Sequence, residues 1–181
     1  MVRDARDAVL PPKRSRRRVM LLGGVLALLL AGGAGVATAN SDWRWSPGLD
    51  NPDRSYTYTS PTWGQCEIRV SHLDMTNPLV EAEVNRIVDD WFASTGVEAA
   101  AAPYVAKYLA EVEASQGGSA EPLTDPRLAD LNSWTAHGQA LDEALHDELA
   151  EHGFAAGDAR LAWGSSFGQV HCDHEDWGAD D

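Results

Sequence analysis

Few places in this chain have the residue types and spacing for chemistry. Gly164-Ser165-Ser166-Phe167-Gly168 spells G-x-S-x-G, the nucleophile elbow in which a strained strand-to-helix turn exposes a serine hydroxyl. Ser166 would then act in a hydrolase on ester or peptide substrates, with His72 or His171 as its base. An elbow needs a helix behind it, then an acid and a histidine, whereas only thirteen residues follow Gly168. A glycine-rich strand end spells the same letters.

The densest group of possible metal ligands is His171, Asp173, His174, Glu175 and Asp176, a set suited to Zn²⁺, Ni²⁺ or Cu²⁺. These residues are consecutive on a tail, while rigid sites draw ligands from fixed elements. His72 and Asp74 would join them if the tail were brought to the first cysteine. His137, His146 and His152 lie among acidic residues without an H-E-x-x-H pattern, as on a solvated helix face. The pairs Asp89-Asp90 and Asp142-Glu143 diverge on a helix, so neither is a general acid and base facing one substrate. No glycine-rich loop precedes a helix in a way that would cradle phosphate. The residues therefore imply no cofactor and favour a non-catalytic protein.

The elements that would position these groups follow from periodicity. Ser55 to Thr59 and Gln65 to Ser71 alternate apolar and polar residues, which predicts a hairpin with one face buried. Asn77-Pro78 predicts a helix start, and Val80, Val84, Ile87, Val88, Trp91 and Phe92 carry it to Gly96. A second helix is expected over Ala102 to Ala114. A third region begins at Asp125-Pro126 and runs to Gly153 as one long helix or two short ones, with Gly138 a break or kink. Arg160 to Cys172, with Trp163, Phe167 and Val170, reads as a strand or strand-turn.

Cys66 and Cys172 are the only cysteines. Beyond an export segment they predict one disulfide, joining the first and last strands around a helical middle. The fold class is accordingly α+β: an N-terminal transmembrane or signal helix, then a small disulfide-linked domain with a short antiparallel sheet and three to four helices.

The export segment has five cations between Lys13 and Arg18, followed by an uncharged run from Val19 to Ala39. Cations before an apolar run stay inside, which gives N-in, C-out topology. Val19 to Leu30 has the length of a signal-peptide core, and Ala37-Thr38-Ala39 is an A-x-A cleavage pattern. The full run of 21 residues would span about 31 Å as a helix, enough for a single-pass anchor. The protein is thus expected to be exported: secreted if cut after Ala39, and held in the cell membrane through Val19 to Ala39 if not. Trp43 and Trp45 would then lie at the headgroup level.

The expected organisation is a basic cytoplasmic region over 1–18, the apolar segment 19–39, a linker 40–54, the extracytoplasmic domain 55–172 and an acidic tail 173–181. After Ala39 there are seven Lys/Arg against 26 Asp/Glu, a formal charge of −19. That field repels phosphate backbones, so nucleic acid is not an expected partner. It favours a cation or a basic envelope protein. Arg-rich, Lys-poor and Ala/Gly-rich usage points to a GC-rich bacterial genome. The residues do not specify an oligomeric state.

Overall fold

The computed structural model describes residues 27–31, 43–50, 52–94, 96–117, 125–161 and 164–178. In chain order its strands are β1 Ala27–Ala31, β2 Ser55–Ser60, β3 Gly64–Val70 and β4 Ser165–Cys172, and its helices are α1 Pro78–Ala93, α2 Val97–Gln116 and α3 Leu128–Glu151. The architecture is α+β with three helices.

The sheet grows from the hairpin. Tyr56, Tyr58 and Ser60 alternate with outward Thr57 and Thr59, and Cys66, Ile68 and Val70 do the same on β3. Gly64 adopts φ +79°, a conformation nearly closed to residues with a Cβ, and so lets the chain reverse after Trp63. β2 and β3 pair antiparallel from Ser55↔Arg69 to Ser60↔Gly64. β4 adds antiparallel to β3 from Cys66↔Cys172 to Val70↔Gly168, giving the order β1-β4-β3-β2.

Cys66 and Cys172 are directly opposite and form the expected disulfide. The Asp173 N–H donates to the Gln65 carbonyl at 3.0 Å, so the two cysteines occupy a non-hydrogen-bonded pair, where facing side chains approach most closely.

The helices cover one face of the sheet. Asn77 caps α1 by accepting the Leu79 N–H at 3.1 Å, and the expected apolar stripe is buried from Val80 to Phe92. α2 begins five residues earlier than the sequence suggests and carries Pro103 inside it. The alanines from Ala99 to Ala102 are the strongest helix formers and extend the helix upstream of the proline. α3 is one continuous helix, and Gly138 is buried within it without breaking it. Asp125-Pro126 forms a turn before α3, because the Asp125 carboxylate accepts the Arg127 N–H at 2.9 Å.

Two segments outside the expected domain pack against it. Residues 43–50, expected as part of a linker, lie on the outer face of the sheet: Leu49 is buried and the Ser46 N–H donates to Gln169 Oε1 at 3.0 Å. The expected acidic tail runs back along the sheet end, and the Trp177 ring sits 4.7 Å from Trp63 and 5.4 Å from Trp134. Apolar burial holds both segments despite their polar composition.

Of the apolar segment Val19 to Ala39, Ala27–Ala31 runs as a strand parallel to β4, from Ala27↔Ser165 to Ala31↔Gln169. The rest of that segment lies outside the described residues, as do the basic region before it and Trp163. No described helix is long and apolar enough to cross a membrane.

Both cysteines are almost fully buried, Cys66 at 2% and Cys172 at 1% exposure. They close a loop across 106 positions, for which chain entropy gives about 4–5 kcal/mol. The expected outcome is that dithiothreitol leaves the bridge intact in native protein and reduces it only with denaturant present. Paired Cys66→Ala and Cys172→Ala replacement should lower the urea midpoint. Thiol titration and urea melts check both.

Candidate functional site

The sequence candidates are not gathered into one place. Ser166 lies within β4 and is buried on the helix-facing side. No strand-to-helix turn exists there, since β4 is the last element among the described residues. Four of the six histidine rings make their hydrogen bonds elsewhere: His137 with Tyr56, His146 with Asp142, His152 with Glu148 and His171 with Glu175.

The tail residues have specific structural contacts. His171 Nδ1 meets Glu175 Oε1 at 3.0 Å, and Glu175 Oε2 accepts the Cys172 N–H at 2.9 Å. Asp173 and His174 continue the pairing toward the hairpin, their N–H groups donating to the carbonyls of Gln65 and Trp63 at 3.0 Å. His72 is exposed beyond the opposite end of β3. The pair Glu67↔His171 puts His72 five residues along the strand from His171, about 17 Å at the usual rise. Among the described residues no group of three or more His, Cys, Asp or Glu is arranged to hold a metal.

What His171 does join is an aromatic cluster on the outer sheet face. The Trp43 ring stacks on it at 4.5 Å and 7° between planes, and Trp45 meets it edge-on at 6.3 Å. Trp45 in turn lies under the Arg69 guanidinium at 4.2 Å, and Arg69 pairs with Glu67 at 2.8 Å. Stacking and cation–π contact each contribute about 1 kcal/mol in such settings. Trp43 and Trp45, expected at a headgroup level, thus pin the N-terminal arm to the domain. Sequence alternation places His171 and Arg69 on one sheet face, but nothing in the sequence shows that the arm covers them.

A second cluster lies between sheet and helices. His137 of α3 stacks on Tyr58 at 4.1 Å and 19°, and its Nδ1 is 2.7 Å from the Tyr56 hydroxyl. Burial drives the His137 pKa down to about 4 and, with Glu98 adding to it, the Tyr56 pKa up to about 12. Tyr58 is raised further, by burial first and by Tyr56, Asp130 and Glu175 after it. Both tyrosines and the histidine are therefore neutral near pH 7, which suits them to packing rather than proton transfer.

Two buried charges serve the fold. Asp130, in the first turn of α3, accepts hydrogen bonds from Ser60 Oγ, Thr62 Oγ1 and the N–H groups of Thr62 and Trp63, at 2.6 to 3.1 Å. Burial would raise its pKa, but these four donors outweigh it and hold the carboxyl below its usual range. Arg54, 3% exposed, donates to Asp89, to the Ser71 carbonyl, and to the side chain and carbonyl of Asn85. Neither residue carried a local sequence signal, because each partner is distant along the chain.

Five more cations are also engaged. Arg69, Arg86, Lys107, Arg127 and Arg160 pair with Glu67, Asp90, Glu143, Asp125 and Asp158. With Arg54–Asp89, six of the seven Lys/Arg after Ala39 are held by carboxylates, and Arg44 is the exposed remainder. The surface field is therefore set by the acidic excess. The chain matches no protein-family model, and no curated protein or solved structure shows significant similarity to it.

The His137 cluster predicts acid lability with a definite sign. The folded ring titrates at about 4 and an unfolded histidine near 6.5, so the unfolded chain binds more protons between those values. Stability should fall as pH drops from about 6.5 to about 4, and His137→Asn, which does not titrate, should flatten that slope. Urea midpoints measured across this range check it.

Proposed function

We propose that the chain is a non-catalytic exported domain, anchored in the cell membrane or released from it, that acts by binding at the bacterial cell envelope. The observation that carries this reading is the ion-pair pattern: nearly every cation after Ala39 is neutralised within the domain, leaving a surface of excess carboxylate. Such a field attracts cations and basic protein surfaces and repels nucleic acid. The buried disulfide accords with an oxidising compartment, and the basic stretch followed by an apolar run supplies a route to it.

Catalysis by Ser166 is the less favoured reading, because the serine lies within β4 with no helix after it among the described residues and is buried toward the helical layer. A metal at His171, His174, Asp173 and His72 is less favoured because Glu175 and Trp43 already engage His171 and His72 stands at the far end of the sheet.

N-terminal sequencing of the exported protein tests the first half of the proposal: a start at Asn40 means secreted, and an intact N-terminus means anchored. Recovery of the chain only from the cytoplasm would overturn it. The second half predicts binding to a polycationic probe such as polylysine that weakens strongly between about 0.05 and 0.5 M salt, as screening requires. Salt-independent retention, or none at low salt, would count against an electrostatic partner.

A further inference from the structure

The backbone of β4 defines an edge that Ala27–Ala31 occupies. The Ser71 N–H donates to the Phe167 carbonyl at 2.8 Å, and Asp74 and Ser165 exchange N–H···O bonds at 2.8 and 3.0 Å. With the ladder to β3, this turns the N–H and C=O groups of residues 165, 167, 169 and 171 inward, and those of Ser166, Gly168, Val170 and Cys172 toward the other edge. Glu175 caps the Cys172 N–H. Ser166, Gly168 and Val170 are left facing outward, and Ala27–Ala31 pairs along the stretch from Ser165 to Gln169.

That strand is drawn from the apolar segment that, on the exported reading, enters the bilayer or is removed. The same five residues cannot lie in a membrane, or on a cleaved peptide, and also complete the sheet. When they leave, a row of unpaired backbone groups opens. β4 reads Ser-Ser-Phe-Gly-Gln-Val-His-Cys, without the lysine, proline or carboxylate by which natural edges resist pairing. Phe167, 40% exposed, stands on the outer face beside it.

We propose that the outer edge of β4 is a strand-acceptor site that takes an extended, uncharged aliphatic segment of a partner protein, aligned parallel to β4 as Ala27–Ala31 is. The inference rests on the exported reading above. The occupant's character follows from the segment seated there, Ala-Leu-Leu-Leu-Ala. Main-chain hydrogen bonds supply the affinity in such augmentation, and side chains select the partner.

The test uses the full chain in phospholipid vesicles, with amide-resolved hydrogen exchange and a soluble lysine-flanked Ala-Leu-Leu-Leu-Ala peptide as probe. Without peptide, the amides of Ser166, Gly168 and Val170 should exchange quickly. Saturating peptide should slow them by on the order of tenfold or more. The same peptide N-methylated at alternate residues keeps its charge and side chains and should have no effect. Ser166→Pro, which removes an outward N–H and spares the β3 ladder, should weaken binding.

Equal protection by both peptides would reduce the contact to charge or apolar adhesion and overturn the proposal. So would a vesicle-bound chain whose edge amides ignore the peptide, or one whose edge is closed by a second copy, seen as a dimer in sedimentation. A chain that stays off the vesicles with its edge already protected would defeat the exported reading itself and the free edge with it.

Discussion

The pairing of β3 with β4 is the contact on which the rest of the domain depends. It joins the hairpin to the last strand, and three helices are threaded between them. Closing so long a loop is entropically costly, and non-local strand pairs repay that cost late. The Cys66–Cys172 bond removes the cost once formed, because the unfolded chain can no longer separate the strands. Its place in a non-hydrogen-bonded pair means that the bridge adds to the ladder without replacing any of it.

Around that clasp the domain is tied at three corners by groups from different elements. Asp130 holds the hairpin turn to the start of α3, where the helix dipole also favours a carboxylate. Arg54 and Asn85 hold the end of β3 and the loop to Leu73 against α1. On the outer face, Trp43 and Trp45 lay the N-terminal arm over His171 and Arg69. Of the groups that looked chemical in the sequence, His171 is taken up in these ties, and Asp173 and His174 extend the backbone pairing to the hairpin.

The legible parts of the fold were those whose causes are local. Asn77-Pro78 signals the start of α1 because cap and proline act within one turn. The alternation around Tyr56, Tyr58, Cys66 and Ile68 gives the hairpin, since burial of one sheet face imposes a period of two. The start of α2 is not legible, because Pro103 argues against a helix running through it, whereas helical alanines and the packing of α2 on α3 override that preference. The docking of Leu49 and Trp177 was not legible, because it depends on a surface that exists only after the sheet and α3 have assembled.

Taken alone, the sequence determined the α+β class, the hairpin, α1, the acidic excess and the pairing of the two cysteines, because composition, short-range periodicity and a count of two leave little choice. Tertiary structure decided the rest. It separated His72 from His171 by the length of a strand, turned Ser166 toward the helices, brought His137 between two tyrosines, and set Ala27–Ala31 against an edge whose unpaired groups appear only when β3 and β4 are in register. The physical reason is that each of these outcomes depends on which backbone groups and side chains face one another across the sheet, and register is a property of assembled strands.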